Sequence, residues 1–190
     1  MPFNLPIALT WLRIIVIPLF LLLFFLPQQW ISIPVRDSSA AIIFILAAVT
    51  DWLDGWLARR LQQTSAFGAF LDPVADKLMV TAALLILLSL HRIDPVIAFI
   101  IIGREITISA LREWMAKLGA SGSVAVHWLG KFKTAAQMVA IPCLLYAQSL
   151  YGFSLLIVGK VLIVVAAILT LWSMFYYLRK AWPELVKKGV

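Results

Sequence analysis

The chain has 190 residues, 63% of them hydrophobic, and a mean hydropathy of +1.00, which excludes an ordinary soluble domain and makes a bilayer the expected solvent. A spanning helix needs about 20 apolar residues, so this length holds roughly six spans and no separate soluble domain. The net charge of +7 fits basic loops against anionic lipid better than nucleic-acid binding, and the single cysteine, Cys143, excludes an intramolecular disulfide.

Apolar stretches are expected at about 7–27, 38–60, 69–90, 94–117, 125–149 and 153–178, giving an all-α, polytopic bundle of six transmembrane helices in one domain over 1–190. The first stretch has no basic residue ahead of it and carries Pro2 and Pro6, so it reads as a retained span rather than a cleaved signal. The breaks are short, and consecutive helices are expected to be antiparallel neighbours. Lysines and arginines favour one set of connections: Arg59 and Arg60, then Lys117, Lys131 and Lys133, then the tail Arg179, Lys180, Lys187 and Lys188. The opposite set holds Arg36 and Arg92, each near an acid. The positive-inside rule therefore predicts a multi-pass inner-membrane protein with both termini cytoplasmic. The tail either lies along the inner headgroups or ends as a solvated extension.

In the second stretch, Ala40 to Thr50 is too short to cross alone, so the helix is expected to continue through Asp51, Asp54 and Ala58. That carries two carboxylates into the inner half of the membrane, where ionisable groups are costly and face a bundle interior or a watery cavity. Asp51, Asp54, Gly55 and Ala58 fall on one helical stripe, and Asp72 and Asp76 share a face of the next helix. A symmetric hairpin sets Asp51 level with Asp76 and Asp54 with Asp72. Four like charges at one depth repel strongly unless cations neutralise them. Two divalent metals with oxygen ligands, Mg²⁺ or Mn²⁺, are the economical answer. Structural alternatives exist for single members: Asp72 before Pro73 as a helix cap, and Asp51 or Asp54 paired with Arg59 or Arg60.

Asp51, Asp54, Gly55, Ala58, Arg59, Gly68, Asp72 and Asp76 reproduce the pattern D-x2-D-G-x2-A-R-x8-G-x3-D-x3-D, and on these residues the chain resembles the CDP-alcohol phosphatidyltransferases. The likeness extends to Asn4, Pro6, Leu9, Thr10, Arg13 and Pro18, to Gly103–Ile106, to Ala110–Trp114 and to Gly130–Thr134; Ile7 departs from the asparagine found in many relatives. The resemblance implies six membrane helices, a homodimer and a cytoplasm-facing cavity holding two metals. Asp51, Asp54, Asp72 and Asp76 match the ligands, with Asp76 also the general base. Asp51, Asp54, Gly55, Ala58, Arg59, Gly68 and Asp72 match positions that bind CDP-diacylglycerol. Small residues let a nucleotide approach the backbone, and an arginine fork suits a phosphate.

The acceptor is a separate question. A phosphate dianion requires convergent cations, and Arg104 and Arg112 share a helix face while Lys131 and Lys133 open the fifth stretch. With Thr10 and Arg13 bordering the pocket, these residues and the resemblance favour glycerol 3-phosphate over inositol phosphate or serine. Either lysine alone also fits a snorkelling positive-inside residue. Arg104 beside Glu105 fits an internal ion pair as well as an acceptor clamp. A proton or ion transporter relaying charge through the buried acids remains a reading from another class, although no internal repeat supports it. Lys77 next to Asp76 fits either tuning of the metal site or snorkelling, and Lys160 stands with little polar company.

Overall fold

A computed structural model describes residues 5–61, 66–117, 128–150 and 152–187. Among them are α1 (Leu5–Leu22), α2 (Ile33–Leu61), α3 (Ala66–Ser89), α4 (Pro95–Lys117), α5 (Trp128–Tyr146) and α6 (Leu155–Lys187), with a two-residue hairpin, β1 (Ser149–Leu150) on β2 (Phe153–Ser154). The structure is helical, as the apolar stretches require; among the described residues two stretches, Ile33–Leu53 and Leu155–Lys180, are long and apolar enough to cross a membrane. The outer face carries large exposed apolar side chains, among them Trp30, Phe99, Phe153, Trp172 and Phe175. So much exposed apolar surface belongs in lipid rather than water.

Local sequence explains most helix ends. Pro34 sits in the first turn of α2, where its missing N–H costs nothing. Asp94 caps α4 by accepting from Val96 N at 2.8 Å, with Pro95 as the first helical residue. The end of α3 is a Schellman turn: His91 takes φ 55°, His91 N–H donates to Leu88 O at 3.0 Å and Arg92 N–H to Leu87 O at 2.9 Å. That turn aims Arg92 at the last carbonyls of α5, Leu144 O (3.1 Å) and Leu145 O (2.6 Å), and at Asp37 of α2, which Arg36 also contacts. A cation here satisfies orphan carbonyls at the negative end of the helix dipole.

The order of packing departs from a simple serpentine. Sequential neighbours α1–α2, α2–α3, α3–α4 and α5–α6 do pack together, but α5 also lies against α2, α1 against α3 and α4 against α6, while α4 and α5 have little backbone contact among the described residues. A cavity between α3, α4 and α5 explains the separation. Two further differences follow from chain physics. Helix α3 begins before Asp72, so Asp72 lies inside a helix and is not a cap. Helix α6 runs through Pro183 to Lys187 without a break at the expected end of the span.

The main core joins Phe20, Phe44, Leu84, Leu87, Ile101, Ile141, Leu144 and Ile163. At the α5–α6 contact a Cβ on Gly159 would lie 2.7 Å from Leu144 Cγ and 3.0 Å from the Leu144 backbone N. The backbone atom cannot swing away, so Gly159→Ala is expected to destabilise the protein by about 1–3 kcal/mol despite alanine's better helix propensity. Thermal unfolding in detergent checks this, and an unchanged or raised midpoint would contradict the packing.

Candidate active site

Candidate side chains gather at the end of the bundle where α2 finishes and α3 begins. Helix α1 is almost wholly apolar, yet its Thr10 and Arg13, three residues apart and therefore on one face, are both buried. Thr10 Oγ1 donates to Asp72 Oδ1 at 2.5 Å, and Arg13 Nη1 to Asp51 Oδ1 at 2.5 Å. Helix α1 thus lies against both acid-bearing helices and touches one carboxylate on each. Asp76, one turn beyond Asp72, is half-buried and feels the charges of Asp51, Arg13, Glu105 and Lys77.

The structure places Asp51, Asp72 and Asp76 around the same helix end, but Asp51 and Asp72 take separate partners on α1. Among the described residues no three acids, histidines or cysteines converge on one point. Asp54, Gly55, Ala58, Arg59, Gly68 and Lys131 lie outside the positions whose side-chain surroundings are described, so the fourth carboxylate and the proposed nucleotide contacts are not placed. The donor chemistry nonetheless fits hard divalent cations: hydroxyl and carboxylate oxygens, with a guanidinium held against Asp51 where a positive charge is needed.

Next to the aspartates is a cavity of about 70 Å³ lined by Asp76, Lys77, Thr81, Glu105, Lys133, Thr134 and Gln137, closed by Val80, Ile101, Ile102 and Met138. Lys133, only 3% exposed, donates to Glu105 Oε1, and Arg104 Nη1 reaches the same oxygen at 3.2 Å. Arg104 is 7% exposed, its Nη2 donates to Ser173 Oγ at 3.2 Å, and its Nε has no hydrogen-bond partner among the described residues. The guanidinium carbons of Arg104 and Arg112 each lie 5.9 Å from the Tyr177 ring centre, so both cations border one aromatic face. Lys77 donates to Ser109, whose hydroxyl donates to Glu105 O at 2.6 Å.

Several of these contacts escaped the sequence reading. Glu105 was visible as a neighbour of Arg104, but its hold on Lys133 of α5 was not. Tyr177, Ser173, Ser109 and Gln137 gave no signal, since each is an ordinary residue at helical spacing whose importance comes from what packs opposite. Thr10 and Arg13 had a usable one: a lone buried cation in an apolar span needs an acid. Beside Arg13 a second groove, about 300 Å³ and mostly apolar, runs between α1 and α2 past Leu12, Val16, Ile43, Leu46, Ala47 and Thr50. Its walls include the exposed side chains of Leu12 and Leu46.

The sequence pattern of CDP-alcohol phosphatidyltransferases matches residues 3–172. The chain is 50% identical over 188 residues to the CDP-diacylglycerol--glycerol-3-phosphate 3-phosphatidyltransferases of Escherichia coli (strain K12) and Shigella flexneri serotype 5b (strain 8401), covering 98% of this chain and 99% of each relative. That family is made of membrane transferases that generally depend on divalent cations. With the pattern spanning most of the sequence and the relatives matching nearly end to end, this chain belongs to the CDP-alcohol phosphatidyltransferase family.

Proposed function

We infer that the protein transfers the phosphatidyl group of CDP-diacylglycerol to sn-glycerol 3-phosphate, releasing CMP and forming phosphatidylglycerophosphate. The observation that carries this reading is the cavity that sets Asp76 opposite buried Lys133 and beside Lys77, a carboxylate and cations facing one space. The high identity to relatives named for this reaction supports it.

The residues divide the work. CDP-diacylglycerol enters along the apolar groove between α1 and α2, keeping its acyl chains in lipid while its diphosphate reaches the aspartates. Gly55, Ala58, Arg59 and Gly68 receive the cytidine diphosphate moiety, with Asp51, Asp54 and Asp72 at its diphosphate. Two divalent cations, Mg²⁺ or Mn²⁺, would be held by Asp51, Asp54, Asp72 and Asp76 and would neutralise charge on the diphosphate and on departing CMP. Thr10 and Arg13 orient Asp72 and Asp51 from α1. The acceptor phosphate sits among Arg104, Arg112, Lys131 and Lys133, which brings its hydroxyl to Asp76. Asp76 accepts the hydroxyl proton as the oxygen bonds to the phosphorus bearing diacylglycerol, and the bond from that phosphorus to CMP breaks. A buried ammonium and guanidinium are stronger phosphate partners than exposed ones, because less water competes.

This reading takes the chain as one domain over residues 1–190 that spans the inner membrane six times with both termini cytoplasmic, and acts as a homodimer. Purified protein given CDP-diacylglycerol and Mg²⁺ is expected to release CMP only when glycerol 3-phosphate is added, and EDTA is expected to abolish the release. Equal or greater stimulation by inositol phosphate or serine would replace the acceptor, and metal-independent turnover would remove the cations.

A further inference from the structure

At the opposite end of the bundle from the aspartates lies a larger cavity, about 400 Å³, lined by His91, Arg92, Ile93, Asp94, Ile97 and Lys160, with Ile163 and Val164 on the α6 side. Nothing in the transfer reaction uses it. Lys160 stands just inside the start of α6, five residues past Leu155 and so roughly 8 Å along the helix axis. Its ammonium makes no hydrogen bond or ion pair among the described residues. An ammonium within an otherwise apolar membrane helix is costly unless it meets an anion or water.

The cavity's own carboxylate, Asp94, makes no ion pair with Lys160 among the described residues. Arg92 is committed to Asp37 and to the α5 carbonyls, and Arg36 shares Asp37. Asp94 is occupied in part by the Val96 amide as the cap of α4. Three cations (Arg36, Arg92 and Lys160) thus stand against two carboxylates, Asp37 and Asp94. This end of the bundle carries one net positive charge, and Lys160, an exposed side chain, borders the cavity. The Schellman turn fixes one rim through His91, whose left-handed backbone is held by paired amide bonds. The apolar wall of Ile97, Ile163 and Val164 suits an acyl chain rather than bulk water.

We propose that this cavity binds an anionic phospholipid: its phosphodiester monoanion pairs with Lys160, and its chains lie along Ile97, Ile163 and Val164. The site is separate from the transfer centre and rests only on the bundle being embedded in a bilayer. A single negative headgroup matches the single uncompensated cation, and the volume falls in the range of ordinary ligand pockets.

The test uses the full-length protein in nanodiscs containing photoreactive phosphatidylglycerol or photoreactive phosphatidylcholine, with crosslinked peptides mapped by mass spectrometry. Phosphatidylglycerol is expected to label the segments 93–97 and 160–164 about fivefold more than phosphatidylcholine, the factor one lysine contributes toward an anionic headgroup. Lys160→Met is expected to erase that excess without altering crosslinks near α1 and α2, Lys160→Arg to keep it, and Asp94→Asn to keep or raise it. Equal labelling by the two lipids overturns the proposal, as does an excess that survives Lys160→Met. Loss of the excess on adding inorganic phosphate would overturn the lipid assignment in favour of a free anion. Far-UV circular dichroism of each variant separates these outcomes from unfolding.

Discussion

Asp76→Asn is expected to reduce acceptor-dependent CMP release by about 10³-fold or more while the protein still elutes as the folded species with unchanged helicity. The side chains are nearly isosteric, and Asp76 makes no ion pair or hydrogen bond among the described residues, so packing is spared. What is lost is a carboxylate that lines the cavity between α3, α4 and α5 and feels the charges of Asp51 and Glu105. A neutral amide can neither take the hydroxyl proton nor bind a divalent cation with comparable strength. Turnover within tenfold of the parent would remove Asp76 from both roles and move the chemistry elsewhere.

Glu105→Gln is expected to cost stability as well as activity. Glu105 is the carboxylate shared by Lys133 and Arg104, two cations with almost no exposure of their own. Removing one member of a buried charge set leaves the others desolvated and unpaired, which costs about 3–5 kcal/mol where burial is complete. Glu105 keeps 28% of its side chain exposed, so water screens part of the loss and the lower end, about 3 kcal/mol, is expected. The thermal midpoint in detergent should fall clearly. Adding Lys133→Met should recover much of that loss, because a flexible apolar chain needs no counter-charge, yet the double variant should bind glycerol 3-phosphate poorly and show a raised KM. A double variant no more stable than Glu105→Gln alone would show that the Lys133–Glu105 contact contributes little to the fold. In the parent protein Glu105 holds Lys133 at the cavity and also contacts Arg104; under the proposed function it positions both until a phosphate competes for them.

The aspartate pattern shows how far spacing reaches. Helical periodicity assigned Asp72 and Asp76 to one face and Asp51 and Asp54 to one stripe, and depth alone argued that such groups serve a purpose. The hairpin construction paired α2 with α3 directly, because sequence neighbours are the default partners. The folded chain keeps α2 and α3 in contact and adds α1 against both, with Thr10 on Asp72 and Arg13 on Asp51. Nothing in local sequence fixes which remote helix fills a gap.

The region around Arg104 is similar. Arg104 and Arg112 share a face by arithmetic, but their common partner Tyr177 lies 73 and 65 positions away on α6. Helix ends were more legible: Asp94–Pro95 marks the start of α4 through chemistry contained in adjacent residues. The left-handed His91 was not, since that conformation ordinarily selects glycine or asparagine and is held here by the turn's own hydrogen bonds.

By itself, the sequence determined the solvent, the helical class, the charge bias along the chain and the motif that places it in its family. Those properties follow from composition and from short-range periodicity, which need no knowledge of packing. Tertiary structure alone decided that α1 supplies the counter-groups of two aspartates, that Glu105 gathers cations from α4 and α5 beside Asp76, and that Lys160 borders a cavity without pairing to its one carboxylate, Asp94. The reason is physical: a buried charge is defined by whatever lies across from it, and in a helical bundle that partner comes from another segment of the chain.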